Sequence, residues 1–165
     1  MIITPLLVIF LIIVFVLLFL FLNTVDKRKW LSGLISLALT PLVFFFMFYP
    51  FLNIISSYHH QKYFDSDAWT EKPALRYEMI DNIVKSDTLI DASKEQITSL
   101  LGKAEWLTWD EAKKAHDTNK WNYGLGIEPG AFTSERECVE ITFQNDKVIA
   151  LKTYQEAITF ENEKE

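Results

Sequence analysis

Residues 2–22 have the sequence IITPLLVIFLIIVFVLLFLFL, which decides the architecture of the chain because it contains no charged side chain. A helix rises ~1.5 Å per residue, so this segment matches the ~30 Å hydrocarbon core of a bilayer. After the polar segment 23–29 (NTVDKRK), residues 31–55 are again uncharged. We therefore predict two transmembrane helices, at about 2–22 and 31–55, which make residues 1–57 a multi-pass membrane anchor.

The first apolar segment differs from a cleaved signal peptide. Such a peptide has a basic region before a shorter apolar core, and small residues at its cleavage site. Here no Lys or Arg precedes the apolar run, no Ala-x-Ala pattern follows it, and no lipid-accepting Cys lies near Met1. We expect the segment to remain in the protein as an anchor.

The second apolar segment contains small side chains of the kind that line helix contacts in membranes. The predicted helix-packing residues are Ser32, Gly33, Ser36 and Thr40. Pro41 predicts a kink, because proline lacks the amide hydrogen that a helix interior uses. Pro50 is expected to mark the point where this helix leaves the hydrocarbon.

The short loop between the two segments predicts the orientation. It carries Lys27, Arg28 and Lys29 beside one acid, and basic loops stay on the cytoplasmic side of a membrane. A weaker positive signal after the second segment, at 59–62, points the other way. We expect the inner (cytoplasmic) membrane of a bacterium, with the soluble domain facing the periplasm or the cell exterior.

Charge is distributed unevenly along the chain. After Ser57 there are 13 Lys and Arg against 21 Asp and Glu, a net charge of −8. Nucleic-acid binding depends on cations that displace phosphate counterions, so an acidic domain excludes that partner class. The single cysteine, Cys138, excludes an internal disulfide and a cysteine-based metal cluster.

The soluble part begins with an expected juxtamembrane linker at 58–71. Its Trp69 is expected either at the lipid headgroups or packed back on the domain. Helical spacing of apolar residues predicts a helix at 73–86. Ser93 and Gln96 match a capping box that opens a second, short helix, and Gly102 occupies its expected C-cap.

The rest of the domain has strand patterns. Residues 106–109 and 120–127 are predicted strands, with a loop or helical turn at 110–119. Val139, Ile141 and Phe143 alternate with polar residues, and a hairpin turn at Asn145 and Asp146 leads into a last strand that ends at Tyr154. The predicted fold is α+β: a domain at 72–155, with two helices packed on a three- to four-stranded antiparallel sheet, and an acidic tail at 156–165.

Several of these residues together resemble the SmpA/OmlA (BamE) family of outer-membrane-assembly lipoproteins. The similar segments are LIDASKEQI at 89–97, LLG at 100–102, WNY at 121–123 and NDKV at 145–148. The resemblance implies two helices on a three-stranded antiparallel sheet, an architecture shared with β-lactamase inhibitor proteins. The sequence departs from the family pattern at Ala92, at 103–104, and in having two apolar helices where the family has a lipid anchor.

No catalytic, cofactor or metal site is predicted from the remaining polar residues. His59 and His60 with Asp65 and Asp67 have the side chains of metal ligands, but adjacent histidines do not share a helix face. His116 is expected to be solvated in a charged loop, and Cys138 to be a small, partly buried side chain without an activating base. The glycines at 124 and 126 lack the following helix of a phosphate-binding loop.

Four aromatic residues are the candidate partner contacts: Trp106, Trp109, Trp121 and Tyr123. They are expected to form a sheet core, with a partner-binding surface as the alternative. From these patterns we predict a membrane-anchored, non-enzymatic interaction or scaffold subunit of a cell-envelope complex. Its partners would be the lipid bilayer and a membrane-embedded or membrane-proximal protein. The alternative is an inhibitor or immunity-type protein that neutralises an envelope-targeted toxin or enzyme.

Overall fold

The computed structural model describes residues 1–158, which form two compact units. The first unit is Met1–His60 together with the short segment Pro129–Ala131. The second is Gln61–Glu128 together with the residues from Phe132 onward. The first unit is helical, and the second contains both helices and a sheet, so the α+β prediction is confirmed.

The first unit is a hairpin of two long helices, α1 (Pro5–Val25) and α2 (Lys29–Ile55). Thr4 caps α1 by accepting the Leu7 amide at 3.2 Å, and Pro5 occupies the first helical position, where no amide is needed. Both helices are long and apolar enough to cross a membrane by length and composition.

α2 is continuous but irregular. A π-helical turn at Phe44–Phe48 interrupts it soon after Pro41, where the helical hydrogen-bond ladder lacks a donor. Pro41 therefore coincides with a local change in helix geometry. Helical structure continues past Pro50 and ends at Ile55.

Small polar side chains line the inside of the hairpin. Ser32, Ser36 and Thr40 are buried at four-residue spacing, which places them on one face of α2. The hydroxyls of Ser36 and Thr40 donate to the carbonyls four residues earlier, both at 2.7 Å. Gly33 differs from them, because a side chain built there would meet nothing within 4 Å. Three of the four predicted packing residues thus pack within the hairpin itself.

As far as Ile158, the second unit contains three short α-helices and four strands. The helices are α3 (Ser66–Glu71), α4 (Tyr77–Lys85) and α5 (Lys94–Leu101), with a 3₁₀ turn at Pro73–Leu75. The strands are β1 (Trp106–Asp110), β2 (Ala115–Gly126), β3 (Glu135–Gln144) and β4 (Lys147–Ala157). They form an antiparallel meander in the order β1-β2-β3-β4.

The core of this domain lies between the helices and one face of the sheet. Val139, Ile141 and Phe143 are buried as their alternation predicts. They pack with Tyr123, Leu125 and Val148 from neighbouring strands and with helix residues such as Ile83 and Ile97. Burial of this apolar surface is the main favourable term that offsets the ordering of the chain.

The local signals for caps and turns are confirmed. Ser93 accepts the Gln96 amide at 3.4 Å, and the Gln96 side chain accepts the Ser93 amide at 2.8 Å. Gly102 ends α5 with a φ of +83°. Asn145 and Asp146 both have positive φ, as a two-residue hairpin turn requires.

The prediction of a linker over 58–71 is wrong for most of that segment. Ser66–Glu71 is a helix, and Trp69 is fully buried against Tyr123 with ring centroids 6.2 Å apart. The Lys62 amide donates to the Glu78 carbonyl at 2.7 Å, so the domain begins near Gln61. Burial of a large indole outweighs the polar composition around it.

Two charged residues at the start of α4, Arg76 and Glu78, are buried. Arg76 donates to the Trp69 and Gly124 carbonyls at 2.8 and 2.9 Å and to Glu105 at 2.5 Å. Glu78 pairs with Lys62 at 2.5 Å. Pairing with acceptors and counter-charges offsets the cost of removing these groups from water. The predicted two-helix layer therefore has three helices, tied to β2 through Arg76.

The predicted loop or helical turn over 110–119 is shorter than expected: it covers only 111–114, because β1 ends at Asp110 and β2 starts at Ala115. In this tight turn the Asp110 carboxylate accepts the amides of Ala112 and Lys113 at 2.9 and 3.2 Å. At the other end of the domain, Glu156 and Ala157 continue β4 where a tail was expected. The rest of that tail, after Ile158, lies outside the described residues.

Candidate interaction surface

The sheet presents one face to the core and the other to an open groove. The groove encloses about 500 Å³. It is lined by Trp106, Leu107, Thr108, Trp109, Asn122, Glu140, Lys152 and Tyr154. We call this surface the open-face groove. It combines aromatic, amide, hydroxyl and charged side chains. Aromatic side chains are enriched in protein-binding surfaces.

A chain of hydrogen bonds runs across the floor of the open-face groove. Tyr154 donates its hydroxyl proton to Asn122 Oδ1 at 2.9 Å, and Asn122 Nδ2 donates to Thr108 Oγ1 at 2.9 Å. Thr108 in turn donates to Glu140 at 2.5 Å. Asn122 is 1 % exposed, so its two bonds satisfy an amide that would otherwise be costly to bury. The network fixes side chains from all four strands in one arrangement.

Cationic side chains border this network on two strands. The Arg136 guanidinium lies 5.1 Å from the centre of the Trp106 ring and donates to Glu156 at 2.6 Å. The ion pair with Glu156 raises the pKa of Arg136. Lys152 is exposed beside Glu140 in the register of β3 and β4. The rim of the groove therefore offers both signs of charge.

Cys138 lies beneath this rim and is fully buried. Burial raises the pKa of its thiol, and nearby Glu156 acts in the same direction. The neutral thiol is thus favoured, and a nucleophile would need the thiolate. The environment suits the small packing side chain that the sequence predicted.

Trp109 forms the exposed end of the groove. It is 48 % exposed, and its ring meets that of His116 edge-to-face with centroids 5.2 Å apart. His116 Nδ1 lies 3.2 Å from the Leu107 carbonyl oxygen. His116 is exposed, as predicted, but it lies in β2 beside Trp109 and not in a loop.

The four candidate aromatic residues divide between two environments. Tyr123 is fully buried and donates to the Gly102 carbonyl at 3.0 Å. Trp121 packs against the core with its ring 4.8 Å from that of Phe143. Trp106 and Trp109 line the open-face groove. The core and the partner-surface interpretations thus apply to different members of the group.

The histidines considered as metal ligands have other contacts. His60 Nδ1 lies 3.0 Å from the Tyr49 hydroxyl, and His59 Nδ1 lies 3.1 Å from the Ser57 carbonyl oxygen. Asp65 caps α3 by accepting the Ala68 amide at 2.7 Å. Within residues 1–158, no group of three or more His, Cys, Asp or Glu side chains could hold a metal ion.

Several groove residues were not singled out from the sequence, namely Thr108, Asn122, Glu140, Lys152 and Tyr154. In the sequence they are the polar residues that alternate with apolar ones along each strand. This alternation predicts a solvent-exposed sheet face, but it does not distinguish a hydrogen-bonded network from separately solvated side chains. The long-range pairing of Thr108 with Glu140 depends on strand order, which the sequence pattern does not specify.

No family model matches the chain, and neither a curated protein nor a solved structure does. The resemblance to the SmpA/OmlA family accordingly stays a prediction. The class of protein that can be stated is an α+β domain joined to a hairpin of two apolar helices.

Proposed function

We propose that the protein is a membrane-anchored, non-enzymatic interaction subunit of a cell-envelope complex. In this proposal the open-face groove docks a membrane-proximal protein. The observation that carries it is the groove itself, in which the half-exposed Trp109 stands beside an ordered polar network. Partially exposed Trp and Tyr beside fixed polar groups are enriched among residues that dominate binding energy.

The helical hairpin supports the anchoring part of the proposal. Its outer surface is apolar on both helices, with Leu17, Phe21, Leu37 and Phe46 all more than half exposed. Soluble proteins rarely expose so large an apolar surface, whereas a bilayer would cover it without cost. The basic residues 27–29 support a cytoplasmic turn, which would put the domain in the periplasm or outside the cell.

The tether supports a partner near the membrane. Five residues, 56–60, separate the end of α2 from the domain unit. They can span at most ~3.3–3.6 Å each. Confinement near one membrane raises the effective concentration of a partner held in the same bilayer, so a modest affinity suffices.

The chemistry of the titratable residues supports binding over reaction. The Cys138 thiol is buried with a raised pKa, and His116 packs against Trp109. Neither arrangement provides the paired nucleophile and base of covalent catalysis. We therefore assign the groove to recognition.

The test is co-purification of partners with the full chain, extracted in a mild detergent and analysed by mass spectrometry. Trp109→Ala combined with Lys152→Ala should remove most of the captured partner, because both side chains line the groove. The matched control is Val84→Ala combined with Lys85→Ala, which alters an exposed apolar residue and an exposed lysine on α4. Equal loss in both double variants, or no loss in either, would contradict the assignment of the groove.

The identity of the partner separates the two functional proposals. A stable envelope-assembly protein would support the scaffold role and the SmpA/OmlA resemblance. A toxin or hydrolase whose activity falls on binding would instead support the inhibitor or immunity role.

A further inference from the structure

The loop that joins β2 to β3 is apolar and exposed. Residues 127–134 have the sequence IEPGAFTS, with one charged side chain. Phe132 is 94 % exposed, more than any other large apolar residue in the described part of the chain, and Ile127 is 48 % exposed. An exposed Phe at a loop tip has no role in the core of its own domain.

The same loop is attached to the end of the helical hairpin. The Ala131 amide donates to the Ile54 carbonyl at 3.3 Å, and Pro129–Ala131 belongs to the compact unit formed by the hairpin. Ile54 lies in the last turn of α2, where the apolar helix ends. Phe132 follows Ala131 directly, so its Cα lies ~3.8 Å further along the chain.

We propose that the β2–β3 loop is a third membrane contact, in which Phe132 enters the bilayer beside the end of α2. This inference rests on the proposed membrane anchorage. A lipid surface fits the loop better than a protein, because the exposed ring adjoins a segment bonded to the last turn of a membrane-length helix. Moving the apolar Phe132 ring from water into the hydrocarbon is favourable.

The charges around the loop define the kind of lipid. Glu128 and Glu135 border the apolar residues, and residues 127–134 contain no Lys or Arg. Attraction to anionic headgroups requires basic residues, so insertion here depends on apolar contact alone. The contact should form equally well on uncharged phosphatidylcholine and on bilayers that also contain phosphatidylglycerol.

The consequence for function is control of the domain's position. An attachment of the β2–β3 loop to the bilayer at Phe132 would restrict the motion of the domain relative to the membrane. Such preorganisation lowers the entropy that a partner must remove on docking.

The test is electron paramagnetic resonance on the full chain in phosphatidylcholine vesicles. A nitroxide on Thr133→Cys, in a Cys138→Ala background, reports on the loop while Phe132 is retained. Collisions with oxygen, which concentrates in lipid, are compared with collisions with a water-soluble nickel chelate. Two further labels serve as references: Leu20→Cys on the exposed face of α1, and Lys113→Cys in the turn at the opposite end of β2.

We expect the Thr133 label to favour oxygen over nickel severalfold relative to the Lys113 label. Phe132→Ser should shift the Thr133 label toward the Lys113 value while leaving the Leu20 label in lipid. Adding phosphatidylglycerol should change none of these ratios. If Cys138→Ala does not fold, the natural Cys138 can be kept, because it is buried and shielded from labelling.

Three results would overturn the inference, and they are distinguishable. A water-exposed Thr133 label with a lipid-exposed Leu20 label would reject the loop contact but keep the anchor. A water-exposed Leu20 label would reject the anchor as well. A Thr133 label shielded from both oxygen and nickel would mean that protein covers the loop.

Discussion

Asn122 shows how a single side chain can order the open face of the sheet. Its amide is buried, and it accepts from Tyr154 and donates to Thr108. Both bonds cross between strands, so they hold β1, β2 and β4 in one arrangement. An unpaired amide at this position would cost ~1–3 kcal/mol, which explains why its partners matter as much as the residue itself.

At the same scale, Phe143 and Phe132 allow a comparison of the same side chain in a buried and in an exposed position. Phe143 is 4 % exposed in the core, and Phe132 is 94 % exposed in the β2–β3 loop. In the isolated domain, Phe143→Ala should lower the free energy of unfolding by ~3–5 kcal/mol, because it removes a buried ring and leaves a cavity. Phe132→Ala should change it by less than ~0.5 kcal/mol. Urea unfolding measures both, and similar losses would mean that the strand faces are assigned wrongly.

Tyr154 provides a prediction of pH dependence. The pKa of Tyr154 is raised to about 12. Burial is the largest cause, and the neighbouring Cys138 also raises this pKa. An unfolded tyrosine titrates near ~10. A folded pKa above the unfolded value means that the stabilisation is complete below pH ~10 and is lost as pH rises toward 12.

Tyr154→Phe should therefore lose less stability than the natural domain as the pH rises above ~10. The variant lacks the hydroxyl and should be less stable at pH 8, because Asn122 loses a donor. The difference from the natural domain should then shrink as pH rises above 10. Urea midpoints at pH 8, 9, 10 and 11 measure this, and parallel curves for the two proteins would contradict it.

At the scale of elements, α3 is the helix that the sequence pattern did not predict, because its segment is rich in polar residues. Its Trp69 packs against Phe64 and Tyr123, with ring centroids 6.1 and 6.2 Å apart. The Trp69 carbonyl also accepts a hydrogen bond from Arg76, whose guanidinium donates another to the Gly124 carbonyl on β2. The segment 61–71 is therefore part of the folded domain.

Truncation tests this boundary. Residues 61–165 expressed alone should give a soluble α+β domain that unfolds cooperatively. Starting instead at residue 72 should cost several kcal/mol, because ~3–5 kcal/mol is typical for removing one buried Trp side chain alone. Circular dichroism during urea unfolding compares the two fragments. Equal stability would show that α3 contributes little to the core.

At the scale of the whole molecule, the proposed orientation depends on one loop. Residues 27–29 are the only basic residues before Ser57. A reporter enzyme that works only outside the cytoplasm should be active when fused after Glu165. Neutral residues at all three positions should reduce that activity, because the charge bias that retains the turn in the cytoplasm is lost. An inactive reporter on the unaltered chain would reverse the orientation.

The sequence by itself determined the features that depend on neighbours along the chain. The two apolar helices follow from uninterrupted runs of apolar residues, and the buried face of β3 follows from the alternation at Val139, Ile141 and Phe143. The Ser93 cap and the Asn145–Asp146 turn depend on bonds within a few residues. Local chemistry is sufficient to specify such features, and the sequence therefore predicted them.

Tertiary structure decided the features that depend on distant partners. Arg76 is buried because acceptors arrive from Trp69, Glu105 and Gly124, and a polar residue on a helix gives no sign of this beforehand. Gly126, at a φ of +99°, lies so close to the Ala74 carbonyl that a side chain there would overlap it. The open-face groove exists only once four strands lie in register, because burial and hydrogen bonding are properties of the assembled sheet and not of any one strand.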